Sequence, residues 1–193
     1  MDRNKAYIIV NLFDFNLKTK FNIYTFFGVL GFMAILLICG TTTNGFNSIS
    51  AQQKQQHFNA VLLGSKGVPP IQTSAIGLAK FTLSDDGKSL GYILTVLDIN
   101  DVIGAHIHMG NSKQNGPIEV FLYGNHNMTQ PPTGKVDGVL SRGFITDSDL
   151  TGPMAGKHLQ ELLNQIQNGY AYVNVHTTQN PNGEIRGQIE IPQ

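Results

Sequence analysis

Three histidines have the spacing and the neighbours that a metal site requires. His106 and His108 flank one apolar residue, and His176 ends a similar alternating run at 172–176. Because successive side chains of a strand point to opposite faces, each histidine is predicted on the face opposite the apolar residues. Imidazole binds copper and zinc well, so two neighbouring strands could hold Cu²⁺ or Zn²⁺ between the three rings. The alternative is structural, with imidazoles that hydrogen-bond to the backbone or to Asn174 and join the strands.

A polar and aromatic group shares a face with the third histidine. Tyr170, Tyr172 and Asn174 alternate with apolar residues, and Arg186 lies on the strand that follows. These four side chains form a candidate ligand surface, on which Arg186 would guide an anion to the histidines. Alternatively, the group could lie beneath a helix predicted at 157–167. Arg186 could also form an ion pair with one of three carboxylates: Glu184, Asp98 or Asp101.

The charge balance argues against nucleic-acid binding. The 193 residues carry 13 basic and 13 acidic side chains, so the formal net charge is zero. A nucleic-acid interface needs a clustered basic surface, which this sequence does not offer. The sequence also has no nucleophile motif, no phosphate-binding glycine loop and no recognisable pair of catalytic carboxylates. No catalytic residue is therefore assigned, and a binding protein is favoured over an enzyme.

Short apolar runs separated by turn residues predict an all-β domain. The candidate strands alternate apolar and polar residues, and Gly, Pro, Asn and Asp lie between them. One segment, 157–167, instead has the apolar spacing of a short helix. Eight strands and one helix indicate a Greek-key or immunoglobulin-like β-sandwich. The predicted strands cover residues 58–63, 74–83, 90–99, 104–110, 118–122, 139–145, 170–177 and 184–191.

An uncharged stretch near the N-terminus predicts a membrane segment. Residues 21–40 lack charge and have the length of one transmembrane helix. Lys18 and Lys20 precede it, so the positive-inside rule leaves the N-terminus in the cytoplasm and the rest of the chain outside. The alternative is a signal peptide that is cleaved near residue 40, with a secreted product. The predicted domains are a cytoplasmic segment at 1–20, an anchor or signal peptide at 21–40, a flexible tether at 41–55 and a folded domain at 56–193.

Three sequence blocks within 57–191 carry a family resemblance. The first contains Val68-Pro69-Pro70, the second joins the histidine pair to a turn across 105–118, and the third covers most of 172–189. They resemble the CHRD domain, a module that is repeated in chordin and found singly in many microbial exported proteins. The resemblance implies a β-sandwich outside the cell that binds a protein or glycan partner, and it implies no settled activity. Gly67 departs from the family pattern, which often has an acidic residue there.

A second resemblance is to copper/zinc superoxide dismutase, which also has a His-x-His pair and a later strand histidine on a Greek-key barrel. By that resemblance His106, His108 and His176 would bind copper, and His126 would be the fourth ligand. The zinc loop of that family has no counterpart here, and the single cysteine, Cys39, cannot form its intrachain disulfide. The resemblance implies an alternative function, that of a copper- or zinc-binding redox protein.

Overall fold

The computed structural model describes residues 55–124 and 133–192 of the chain. Within them lie eight β-strands and one α-helix, which confirms the predicted all-β composition. Short 3-10 turns occupy three of the connections: Gly64–Lys66, Asp147–Asp149 and Gly152–Met154. In chain order the elements are β1 (His57–Leu63), β2 (Ile76–Leu83), β3 (Leu90–Asn100), β4 (Val102–Met109), β5 (Ile118–Tyr123), β6 (Lys135–Ile145), α1 (Leu159–Gln167), β7 (Ala171–Thr177) and β8 (Ile185–Gln188).

All eight strands belong to one antiparallel sheet with the order β5-β4-β7-β8-β1-β2-β3-β6. The sheet curls into a nearly closed barrel, and the Tyr92 hydroxyl of β3 donates to the Leu122 carbonyl of β5 at 2.9 Å. An immunoglobulin-like sandwich would divide the strands between two sheets, whereas here hydrogen bonds join them all. The link between the halves is β1, which pairs with β2 along its length and with β8 through Leu63 and Arg186.

The sixth strand begins earlier than the sequence predicts. Its predicted start was residue 139, but β6 begins at Lys135 and pairs with the end of β3 through Val136 and Ile99. The Lys135 ammonium group lies 3.1 Å from the Asp98 carboxylate, and the backbone N–H of Gly134 donates to Asp101 at 2.6 Å. These contacts extend the strand into a stretch whose polar composition is typical of a loop.

The core lies inside the curled sheet. The central strands β4 and β7 contribute Ile107, Val173 and Val175, all with no exposed area, so the predicted apolar faces of these strands are confirmed. Facing strands add Leu94 and Val96 of β3, which are equally buried. Alternation along each strand therefore directs apolar side chains inward and the intervening side chains outward.

The helix packs its apolar stripe on this core. The buried residues of α1 recur at the spacing of one helical face: Leu159, Leu162, Leu163 and Ile166. The helix begins after His158, whose backbone N–H donates to the Glu161 carboxylate at 2.6 Å. It ends at Gln167 before Gly169, which has a φ of +71°. The predicted helix starts two residues earlier, at 157, whereas His158 is the N-cap and Leu159 is the first helical residue.

The N-terminal predictions fall on residues outside the described part of the chain. These are the cytoplasmic segment at 1–20, the anchor or signal peptide at 21–40 and nearly all of the tether at 41–55. Within residues 55–124 and 133–192, no helix is long and apolar enough to cross a membrane.

Candidate metal centre

Neighbouring strands bring the three predicted histidines together. β4 and β7 are antiparallel partners, with Gly104 opposite His176 and His106 opposite Asn174. The histidines therefore project from the outer side of the sheet, and one ring nitrogen of each lies within 4.8 Å of the other two. His108 and His176 are buried, with 7% and 8% of their surface exposed, and His106 is half-buried. Elsewhere in the described residues, no other three such side chains converge in this way.

Backbone carbonyls fix which nitrogen carries the proton in two of these rings. The Nδ1 atom of His108 lies 2.9 Å from the carbonyl oxygen of Gly116. In the same way, Nδ1 of His176 lies 2.9 Å from the carbonyl oxygen of Pro181. A carbonyl oxygen can only accept, so Nδ1–H is the donor in both rings. In the neutral form of each imidazole, Nε2 consequently holds a lone pair.

The two Nε2 atoms face each other at a separation of 3.4 Å. Burial lowers the pKa of His108 to about 4, and the positive charges of His176 and Arg186 act in the same direction. Burial likewise lowers the pKa of His176. Both rings are therefore neutral near pH 7, and two lone pairs at this distance repel each other. A cation held between them would replace that repulsion with two favourable bonds.

The separation of the two nitrogens suits a shared metal ion. Zinc–nitrogen bonds of about 2.0–2.1 Å at a tetrahedral angle place two ligand nitrogens about 3.3–3.4 Å apart. The observed Nε2–Nε2 distance of 3.4 Å falls within that range. The Nδ1–H bonds to carbonyls also resemble the outer contacts that orient metal-binding histidines in proteins. The distance between these two nitrogens is therefore compatible with two ligands of one ion.

His106 is the third histidine of the cluster, and its ring packs among other aromatic rings. Its ring packs edge-on against Phe121, with ring centroids 4.8 Å apart, and lies 4.9 Å from the ring of His176. Gly104 leaves room for it, since a Cβ at that position would lie 3.0 Å from Cε1 of His106. One ring nitrogen of His106 lies within 4.8 Å of those of His108 and His176.

The predicted ligand surface is mostly covered. Tyr172, Asn174 and Arg186 are 1%, 6% and 2% exposed, whereas Tyr170 is 49% exposed and lies just outside β7. The cover of Tyr172 and Arg186 is the loop at 111–116, rather than the helix that the sequence offered as an alternative. The Tyr172 hydroxyl accepts a hydrogen bond from the backbone N–H of Gly116, the last residue of that loop, at 3.1 Å. Tyr172 also stacks on His108, with ring centroids 5.1 Å apart.

Arg186 does not form the carboxylate pair that was one of its two predicted roles. Its guanidinium donates to the Asn115 side chain at 2.9 Å and to the carbonyl oxygens of Asn111 and Gln114 at 2.6 and 3.0 Å. It also lies over the Tyr172 ring, 3.5 Å from the centroid. The three candidate carboxylates bond elsewhere: Glu184 with Thr73, Thr177 and Asn180, Asp98 with Lys135, and Asp101 with Gly134.

The sequence did not identify every residue that shapes this site. The predicted fourth ligand, His126, lies outside the described residues. The carbonyls of Gly116 and Pro181, which set the tautomers of His108 and His176, were not predicted. Both belong to turn sequences, Asn-Gly-Pro and Asn-Pro-Asn, that lie within the family blocks. Residue type does not show which backbone carbonyl will face a side chain, so the sequence did not identify these two turns as part of the site.

Comparison with known proteins identifies the family. The sequence model of the CHRD domain family matches residues 58–189, which include almost all of the described sheet. The chain is also 30% identical to chordin of Xenopus laevis over 135 residues, which make up 68% of this chain. The matched part is 12% of the length of chordin, so the similarity concerns one module of that protein. This chain belongs to the CHRD domain family.

Proposed function

We propose that this chain is a CHRD binding module held outside the cell by an N-terminal membrane anchor. The observation that carries the proposal is the family match over residues 58–189. The uncharged stretch at 21–40, preceded by Lys18 and Lys20, supports the anchor. The partner is a protein or a glycan outside the cell. Secretion after cleavage near residue 40 is the alternative localisation.

A protease experiment on intact cells tests the proposed topology. The chain would carry one epitope tag at each end, and protease would be added from outside. We expect loss of the C-terminal tag and survival of the N-terminal tag on a short membrane-bound fragment. A C-terminal tag in the medium without its N-terminal tag would support secretion instead. Protection of both tags on intact cells, with digestion after lysis, would contradict an external domain.

Binding to the cell surface tests the partner. The purified full chain, reconstituted in phospholipid nanodiscs, would be added to cells that lack it, with and without glycosidase treatment. Saturable binding that survives the treatment indicates a protein partner, and binding that disappears indicates a glycan. Absence of saturable binding to either surface would argue against a binding module.

A second candidate function is the binding of Cu²⁺ or Zn²⁺ by His106, His108 and His176. The observation that favours it is the 3.4 Å separation of two Nε2 atoms whose Nδ1–H groups are already engaged by carbonyls. Neutral rings of this kind are good ligands for either ion. Bound copper would permit one-electron redox chemistry, as in superoxide dismutase, whereas zinc would have a structural or binding role.

Metal titration of the chelator-treated full chain tests this candidate. We expect one Zn²⁺ or Cu²⁺ per chain near neutral pH, with binding abolished by His176→Ala. His57→Ala is the matched control. His57 is the exposed first residue of β1, and its ring forms a hydrogen bond with the Thr82 hydroxyl of β2. His126→Ala decides whether that residue is a fourth ligand. Equal metal uptake by wild type and His176→Ala would refute the site.

Superoxide decay catalysed by the copper-loaded chain tests the redox alternative. If the three-histidine site is redox-active, catalysis should disappear in His108→Ala and persist in His57→Ala. Copper uptake without catalysis would leave a binding or structural role for the ion.

A further inference from the structure

We propose that a small pocket beside the histidine cluster binds a carboxylate group through Arg186. The pocket has a volume of about 220 Å³ and lies between the loops at 67–71 and 179–183. Asn115, Asn174 and Arg186 also line it. The proposal goes beyond metal binding, because no histidine takes part in it.

The pocket contains a buried positive charge whose described partners are all neutral. Arg186 is 2% exposed, and its hydrogen bonds go to one side-chain amide and two backbone carbonyls. Among the described residues, no carboxylate lies within ion-pair distance of the guanidinium. A guanidinium has five N–H groups, and these bonds occupy both on Nη2 and one on Nη1. One N–H on Nη1 and the N–H on Nε are left, and each can donate to a further acceptor.

Burial of this charge favours an anion as the missing partner. A charge taken out of water loses its hydration, and neutral carbonyls restore only part of that energy. The Tyr172 ring, 3.5 Å from the guanidinium carbon, offsets some of the remainder. Burial accordingly lowers the pKa of Arg186. Each remaining N–H group can make one charge-assisted hydrogen bond, and a carboxylate oxygen is a suitable acceptor for it.

The lining of the pocket favours a small anion with a single charge. Of the residues that line it, Arg186 is the one with a charged side chain, and no acidic residue is among them. One guanidinium balances a singly charged anion, whereas a doubly charged phosphate would leave net negative charge in the pocket. Gln179 and Asn182 also line the pocket and are exposed, and their side-chain amides carry N–H donors. Typical cofactor pockets exceed about 300 Å³, so a carboxylate group fits this pocket better than a cofactor does.

The test compares acetate with chloride at equal ionic strength, using the thermal unfolding of the full chain in neutral detergent. We expect acetate to raise the midpoint above the chloride value in a saturable way. Arg186→Gln should weaken the apparent acetate affinity about tenfold or more, and Arg186→Lys should have an intermediate effect. Lys88→Gln, which removes an exposed lysine outside the pocket, should match wild type.

A rim substitution keeps the test decisive if Arg186→Gln does not fold. Asn182 is exposed and lines the pocket, so Asn182→Asp should fold and should weaken acetate binding by charge repulsion. Two blocked tripeptides, with a central Asp or a central Asn, separate the sources of the carboxylate. Stronger binding of the Asp peptide than of acetate assigns the pocket to an acidic side chain of a partner, and the reverse assigns it to a free carboxylate. Equal effects of acetate and chloride on wild type, or an unchanged response in Asn182→Asp, would overturn the proposal.

Discussion

Two outer faces of the same sheet differ in what they bury. The covered face consists of the outward side chains of β4, β7 and β8, including His108, His176 and Arg186, which are at most 8% exposed. The open face consists of the outward side chains of β3 and β6, including Ile93 and Phe144, which are 47% and 75% exposed. Loops shield the polar side chains of the covered face from solvent, whereas the apolar side chains of the open face are exposed to it.

The two faces differ in the free-energy cost of leaving their side chains where they are. An exposed apolar side chain is common and costs little, whereas a buried imidazole or guanidinium needs a partner for each polar atom. The covered face meets part of that need with the carbonyls of Gly116 and Pro181 and with the loop around Arg186. Polar groups kept at such a cost on one face are expected where the protein binds something. Among the described residues, the outward side chains of β6 include no buried charged group.

The largest expected difference between the faces concerns their arginines. Arg186→Gln should lower the free energy of unfolding by about 3 kcal/mol, because it removes charged hydrogen bonds and leaves buried acceptors without donors. Arg142→Gln, on exposed β6, should change it by less than about 0.5 kcal/mol. Urea unfolding of both variants measures the contrast. Similar losses in the two variants would mean that the loop at 111–116 does not depend on Arg186.

Acid should destabilise the covered face selectively. The pKa of His108 is about 4 in the folded protein and 6.5 for an unperturbed histidine, so the unfolded chain takes up the proton first. The stability is complete above pH 6.5 and falls as the pH drops toward about 4, by about 3 kcal/mol for this group. The lowered pKa of His176 adds to the effect.

Urea unfolding of the metal-free protein across this pH range measures that loss. His57→Gln should keep the full pH dependence, because His57 is exposed on β1. His108→Gln should flatten the dependence. An unchanged slope in His108→Gln would show that another group controls the acid response.

Replacing a valine by alanine should cost more stability on the inward face of β7 than on the open face. Val173 has no exposed area, and Val173→Ala should cost about 1–3 kcal/mol through lost burial and a new cavity. Val139 on β6 is 53% exposed, and Val139→Ala should cost less than about 0.5 kcal/mol. Thermal unfolding of the two variants gives the difference. Equal costs would mean that the inward face of β7 is wrongly assigned.

The smallest effect is expected at the most exposed aromatic side chain. Phe144→Ser should change the free energy of unfolding by less than about 0.5 kcal/mol, although the ring lies against Gly91 on the neighbouring strand. Chemical denaturation measures it. A loss comparable to that of Val173→Ala would indicate that the open face is covered in solution.

Pattern alone predicted most of the fold. Alternation located every strand to within a few residues, because a strand with one face in the core must repeat apolar residues with a period of two. The same rule gave the inward positions of Ile107, Val173 and Val175, and helical spacing gave α1. The early start of β6 escaped prediction because its polar first residues join the sheet through Asp98 and Asp101, not through burial.

The sequence by itself determined which residues could bind metal and which strand face they would occupy. It could not determine whether those strands were neighbours, because register depends on pairings between segments almost seventy residues apart. Only the tertiary structure brought His108 and His176 together and supplied the carbonyls that orient them. It also decided that Tyr172, Asn174 and Arg186 are covered, since loops distant in sequence exclude solvent from them. Burial is a property of the assembled chain, whereas alternation is a property of each strand.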